Sequence, residues 1–196
     1  KAFEENFKYT FLNYDKIENS TRISPVFTST IYLINKFTDN IDITRFILLN
    51  LILLCQYVLF RCLKNSNLNL LFSDNQLLLI SSIIYISPSF RANAIWPESS
   101  MLGLLFFLIS LLCFLKFETN NNIKFFFLNI FFLAIASYIR PSFCLFAFYF
   151  FIKFLLYFYK YYKFYRNLSL VILLNLILAF PAFYYVFLLD VFFISY

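Results

Sequence analysis

Four charged side chains stand out as able to do chemistry, because each lies within three residues of a proline: Arg22, Arg91, Glu98 and Arg140. The guanidinium of arginine is a planar fork that binds phosphate through two parallel hydrogen bonds. A carboxylate such as that of Glu98 can act as a general base. Pro97 and Pro141 are typical of the first turn of a helix, whose N-terminus also attracts phosphate. The pattern predicts a site for a phosphorylated or pyrophosphorylated lipid.

The elements that must position these side chains are apolar runs of membrane-spanning length. The chain has 196 residues, of which 62% are hydrophobic and 13% charged, whereas a soluble domain is about 45–50% apolar. A helix needs about 20 apolar residues to cross a bilayer. Six runs approach that length: 43–62, 70–88, 99–117, 123–139, 142–159 and 168–189. We therefore predict an all-α, polytopic transmembrane helix bundle with about six spanning helices.

Positive charge in the short loops predicts the orientation of these helices, because lysine and arginine collect on the cytoplasmic side. Eight such residues belong to one set of loops: Arg61, Lys64, Lys116, Lys124, Lys153, Lys160, Lys163 and Arg166. The alternate loops hold only Arg91 and Arg140, which we therefore place on the outward face. We also predict that residues 1–42 form an outward segment, in which "SPVFTSTIYLINKF" is a juxtamembrane helix, and that residues 43–196 form the transmembrane module.

The ends of the sequence and its cysteines add further expectations. The chain begins at Lys1 and ends in apolar sequence, so we expect at least one more spanning helix upstream and others downstream. Its four cysteines lie in or beside the apolar runs, and without histidine or a CxxC motif they predict neither a metal site nor a cofactor. The topology accounts for the net charge of +6, so binding to nucleic acid is not predicted.

A purely structural interpretation of the charged residues stays open at this point. On that interpretation Arg91 and Arg140 are interface anchors whose charged groups reach the lipid headgroups. Glu98 stands where any helix favours an acidic residue, in its first turn. Anchoring alone does not readily explain an Arg-Pro pair between two spans that have almost no loop.

Three segments of the chain resemble the outward loops of GT-C superfamily membrane glycosyltransferases. They are "RISPVFTSTIYLINKF", "SPSFRANAIWPESSMLGLLFFLIS" and "ASYIRPSFCLF". Among these enzymes the resemblance is to bacterial members related to lipid A aminoarabinose transferases and to protein O-mannosyltransferases. It implies a bacterial inner membrane location, with the active site facing the periplasm. It also implies that a catalytic acid follows a spanning helix upstream of Lys1, and that Glu98 corresponds to a second outward acid, with glutamate in place of the family's aspartate.

The resemblance implies an inverting transfer of a sugar from a polyprenyl-phosphate donor to a glycan, lipid or protein acceptor. Glu98 would serve as a catalytic carboxylate, while Arg22, Arg91 and Arg140 would bind the substrate. Two alternatives remain: an O-antigen polymerase or ligase, and a non-catalytic transporter or flippase of an anionic lipid-linked substrate. Transporters usually interrupt their helices at mid-membrane with glycine or proline. Here Pro181 is the only proline deep within a run, which favours the enzyme.

Overall fold

The computed structural model describes residues 6–12, 25–95, 98–161, 169–170 and 172–175, and these are helical apart from short connections. The α-helices are α1 Phe7–Leu12, α2 Pro25–Thr38, α3 Ile41–Lys64, α4 Asp74–Ser82, α5 Pro88–Ile95, α6 Ser99–Asn120, α7 Ile123–Ile139 and α8 Leu145–Tyr161. Three 3₁₀ helices accompany them: η1 Asn67–Leu70, η2 Ile83–Ile86 and η3 Pro141–Cys144. The all-α prediction therefore holds for the described part of the chain.

Among the residues that the structure describes, three helical segments are long and apolar enough to cross a membrane: Ile41–Lys64, Ser99–Asn120 and Pro141–Lys160. Two further apolar segments, Asp74–Ile86 and Ile123–Ile139, are shorter. These segments fit an integral membrane protein. The predicted number of six spans is not reached among the described residues, and most of the sixth run lies outside them.

The second predicted run, 70–88, is not one continuous α-helix of spanning length in the structure, and a crossing of the membrane by this segment stays a prediction. Helix α4 begins only at Asp74, where the Ser73 backbone N–H donates to Gln76 Oε1 at 2.9 Å and fixes the N-terminus. The segment then tightens into η2 and ends before Pro88, since the residue before a proline is restricted to extended backbone. The residues 87–98 that were expected to form a loop contain helix α5 instead.

Helices α3 and α4 form an antiparallel hairpin whose register is set by polar contacts. Lys64 and Asp74 form an ion pair where the two helices are joined. Gln56 Nε2 donates to Ser81 Oγ at 3.1 Å, and Tyr85 Oη donates to the Leu53 carbonyl at 2.9 Å. Successive contacts along α3 thus meet successive positions along α4 and η2, so the hairpin is in register over its whole length.

Helices α6 and α7 form a second antiparallel hairpin with a polar contact at its centre. Asn129 Nδ2 donates to the Ser110 carbonyl at 2.9 Å, while Ser110 Oγ donates to the Asn129 carbonyl at 3.0 Å. Both residues are fully buried, so these bonds satisfy polar groups that would be costly to leave unpaired in an apolar interior. The connecting turn uses Asn121 in the left-handed region at φ 53°, and Tyr157 Oη of α8 donates to its side chain at 2.6 Å.

Within the described part of the chain, the buried side chains around α6 form two clusters. One lies between α2, α3, α5, α6 and the end of α7, and includes Phe27, Ile52, Phe90, Leu102 and Ile139. The other joins α6, α7 and α8 and is largely aromatic, with Phe114, Phe117, Phe126, Phe154 and Phe158 at its centre. The abundant phenylalanine of the chain therefore serves packing in this part of the molecule.

The two hairpins are offset along their axes. Two reversals of direction separate α3 from α6, so the helices run parallel, and Cys62 Sγ donates to the Leu108 carbonyl at 3.4 Å. Nine residues earlier on each helix, Leu53 is level with Ser99. The first twelve residues of α3 therefore extend about 18 Å beyond the start of α6, at 1.5 Å per residue.

Helices α2 and α5 cover this extension of α3. Helix α2 reverses direction at Asp39, which is left-handed at φ 50°, and Asn35 then lies opposite Thr44. Thr44 Oγ1 and Thr38 Oγ1 are 2.9 Å apart, and Thr44, Leu48 and Ile52 are all buried. The helix predicted within "SPVFTSTIYLINKF" is thus present as α2, packed against α3 and α7; its position relative to a membrane stays a prediction.

Lys153 was assigned to a cytoplasmic loop, but it lies within α8, eight residues before the end of that helix. Its ammonium group sits 5.6 Å from the centre of the Tyr149 ring on an exposed face of α8. Without Lys153, the loops predicted to be cytoplasmic still hold more lysine and arginine residues than the alternate loops. Lys163 and Arg166 lie outside the described residues.

Candidate functional site

Glu98 and Arg140 lie at the same end of the α6–α7 hairpin. The register follows from the contact between Ser110 and Asn129: eleven residues before Ser110 is Ser99, and eleven residues after Asn129 is Arg140. Glu98 immediately precedes Ser99. The hairpin therefore brings a carboxylate and a guanidinium from distant parts of the sequence to one end of the bundle.

Gly103 is the residue that lets Arg140 approach α6 so closely. A Cβ atom added at Gly103 would lie 2.9 Å from Phe143 Cε2 and 3.1 Å from Arg140 Cβ. Both distances are shorter than ordinary van der Waals contact, so only glycine fits without displacement of the backbone at Arg140 or the ring of Phe143. The sole glycine of the chain thus lies where two helices meet beside a predicted site residue.

Substituting Gly103 with alanine should displace Arg140 and Phe143 and destabilise the protein by about 1–3 kcal/mol, the usual effect of overpacking. Thermal unfolding of the protein in detergent micelles would measure the loss. Phe143→Leu should restore much of it in the double variant, since it shortens the nearer of the two neighbours. Equal stability of wild type and Gly103→Ala would show that the helices are not in close contact here.

Glu98 occupies the N-cap position of α6, with extended backbone at φ −114° and ψ 142°. Its carbonyl accepts the Met101 N–H at 3.2 Å, but its carboxylate accepts no hydrogen bond from the first turn of the helix. The helix begins at Ser99 with Glu98 as its N-cap, and Pro97, predicted for the first turn, lies outside the described residues. The half-buried carboxylate is therefore not used as a side-chain cap and is available to another partner.

Arg140 lies between α7 and η3 with extended backbone, and its side chain is exposed. Its N–H donates to the Ala136 carbonyl at 2.8 Å, and its carbonyl accepts the Phe143 N–H at 3.1 Å. The first bond ends α7 and the second starts η3, so Arg140 is the single residue between the two helices. Pro141 occupies the first turn of η3, as the sequence predicts.

Arg91 is exposed on α5, next to the buried ring of Phe90, which contacts Tyr85 edge to face at a centroid distance of 5.9 Å. Helix α5 packs against α3 and α6, so Arg91 belongs to the same general end of the bundle. Within the described part of the chain, neither arginine nor Glu98 forms an ion pair with another residue. Arg22 lies outside the described residues.

Two hydroxyl groups near this end were not singled out from the sequence. Ser100 Oγ and Tyr138 Oη are buried, and neither forms a hydrogen bond with any residue that the structure describes. Ser100 follows Glu98 by two positions, and Tyr138 precedes Arg140 by two positions. Adjacency to the charged residues in "PESS" and "SYIRP" was the signal that could have identified them.

The arrangement combines an anion-binding side chain, a carboxylate and two hydroxyl groups able to donate to an oxygen acceptor. Among the residues described, no group of three or more histidine, cysteine, aspartate or glutamate side chains could hold a metal ion. Comparisons of the chain with protein-family models, with curated proteins and with solved structures found no match.

Proposed function

We propose that this protein is a membrane glycosyltransferase of the GT-C type, which transfers a sugar from a polyprenyl-phosphate donor to an acceptor at the outer face of a bacterial inner membrane. The observation that carries the proposal is that Glu98 and Arg140 lie at the same end of the α6–α7 hairpin. The reaction needs a carboxylate on one side of the anomeric carbon and a cation on the other.

In the proposed reaction the acceptor hydroxyl oxygen forms a bond to the anomeric carbon while the bond from that carbon to the phosphate oxygen breaks. The Glu98 carboxylate takes the proton of the attacking hydroxyl. The electron pair of the broken bond leaves with polyprenyl phosphate. A single displacement of this kind inverts the configuration at the anomeric carbon.

Charge stabilisation of the leaving phosphate is the role proposed for Arg140 and for Arg91. Negative charge builds up on the phosphate oxygens as the bond breaks, and a preorganised cation in a water-poor site lowers the energy of that state. The exposed guanidinium of Arg140 makes no ion pair with a described residue, so it can meet such an anion without breaking an existing bond. This supports a binding role over a purely structural one.

The test is a transfer assay with the full-length protein in vesicles, supplied with polyprenyl-phosphate sugars carrying a radiolabelled sugar. We expect release of free polyprenyl phosphate in proportion to the sugar incorporated into the acceptor. Movement of intact donor across the bilayer without its cleavage would identify a transporter or flippase instead. Joining of preformed glycan chains, with no use of single-sugar donors, would identify a polymerase or ligase.

A further inference from the structure

The α4–η2 segment exposes a shorter apolar stretch along its axis than the long helices do. Its apolar side chains are widely exposed, with Leu79 70% exposed, Ile83 60% and Ile86 71%. Polar residues bound this stretch on both sides: the exposed Asp74 at one end, and Ser87, Ser89 and Arg91 at the other. The segment therefore presents to its surroundings an apolar band with two defined edges.

The distance between those edges is short. Nine residues of α4 at 1.5 Å each and four of η2 at 2.0 Å each give about 21 Å. The hydrocarbon core of a typical bilayer is about 30 Å thick. A helix of this length cannot cover that core, and a polar edge drawn into hydrocarbon would be costly.

The hairpin partner of this segment, α3, is much longer than the segment itself. Helix α3 has 24 residues, and its C-terminal end is joined to the start of α4 by the Lys64–Asp74 ion pair. At the opposite end α3 continues about 15 Å past the level of Ser87, since Tyr85 is level with Leu53. Helix α6 likewise continues about 15 Å past the level of Lys64 at the end where α3 finishes, since Cys62 is level with Leu108. The α4–η2 segment occupies the interval where the two long helices overlap.

From these lengths we propose that the α4–η2 face binds a locally thinned bilayer, in which both leaflets bend toward the midplane around the exposed leucine and isoleucine side chains. A bilayer responds to a short hydrophobic segment by thinning, at a modest free-energy cost for each ångström of mismatch. The cost falls in membranes whose acyl chains are already short. The exposed Leu70 and Leu71 beyond the polar edge at Asp74 lie where the bent inner leaflet would meet the protein.

The experiment measures thermal unfolding by circular dichroism in phosphatidylcholine vesicles whose chains have 14, 18 or 22 carbons and one double bond. We expect the wild-type protein to unfold at the highest temperature in the 14-carbon bilayer and at the lowest in the 22-carbon bilayer. A maximum at 18 or 22 carbons would overturn the proposal on wild-type data alone. A melting temperature that depends on protein concentration but not on chain length would assign this face to a second copy of the chain and would also overturn it.

Helix α7 is also short, at 17 residues, and could cause the same preference for thin bilayers. A double variant therefore tests whether the preference comes from the α4–η2 segment. Asp74→Leu with Asn75→Leu removes the inner polar edge and keeps the Ser73–Gln76 contact that starts the helix. It should move the stability maximum from 14 toward 18 carbons. Lys64→Gln is the matched control, since it breaks the same ion pair without lengthening the apolar band, and it should lower stability equally in all three bilayers. An unmoved maximum in the double variant would show that the mismatch lies elsewhere.

Discussion

Replacing Glu98 with glutamine is expected to lower the turnover of sugar transfer by about 10²- to 10⁴-fold, the range typical for loss of a general base. Glutamine keeps the size of the side chain and leaves the extended N-cap backbone in place, while it removes the charge and the ability to take a proton. The measurement is the initial rate of polyprenyl phosphate release by the full-length protein at saturating donor.

Stability distinguishes this catalytic role from a structural one. The Glu98 carboxylate makes no capping hydrogen bond, so its neutralisation should remove only a helix-dipole interaction of about 0.3–1 kcal/mol. Glu118→Gln is a matched control, because Glu118 is an exposed glutamate near the other end of the same helix. It should leave turnover unchanged. If Glu98→Gln also transfers sugar at the wild-type rate, Glu98 is not the base.

The boundaries of several helices could be predicted from the sequence because local chemistry sets them. The run 123–139 coincides with α7, whose start is fixed by the Asn122 side chain accepting the Lys124 N–H at 3.0 Å. Its end is fixed by the Arg140–Pro141 pair, since a proline excludes continuation of the helix. The runs that became α3 and α6 also began within two residues of the helices found.

The predicted run 70–88 is longer than the helical segment found there, for a physical reason that hydropathy does not detect. Leu70 to Phe72 are as apolar as any span, but the contact between Ser73 and Gln76 starts the helix after them. The ion pair of Asp74 with Lys64 then fixes where the hairpin begins. The mean hydropathy of a window of sequence does not depend on contacts between residues ten positions apart, such as this pair.

The candidate site was predictable in its residue types and only in part in its geometry. Arg140 was expected at a helix junction and lies there. The close approach at Gly103 was not foreseen, because a single glycine in an apolar run gives no sign of which helix will pack on it. The same holds for the reciprocal bonds between Ser110 and Asn129, which depend on the register of two helices and set the level of Arg140 relative to Glu98.

Replacing Arg140 with lysine is expected to weaken donor binding by about 10- to 150-fold, which corresponds to loss of one charge-assisted hydrogen bond worth about 1.5–3 kcal/mol. Lysine keeps the positive charge and the reach of the side chain, but its ammonium group cannot offer the planar fork that binds two phosphate oxygens together. Binding of a polyprenyl-phosphate sugar to the full-length protein in vesicles would measure the change.

Anchoring to bulk lipid predicts a different outcome, because a lysine holds a helix end at the headgroups as well as an arginine does. Arg45→Lys serves as the control: Arg45 is exposed on α3, lies 3.7 Å from Asp42, and is about 12 Å beyond the level of Ser99 along the α3 axis. It should bind donor with wild-type affinity. If Arg140→Lys behaves like Arg45→Lys in both donor affinity and turnover, Arg140 is an anchor. The position of Glu98 and Arg140 at one end of the hairpin would then no longer support a phosphate site. A selective loss in Arg140→Lys, with unchanged thermal stability, would instead require that its guanidinium meets the donor phosphate.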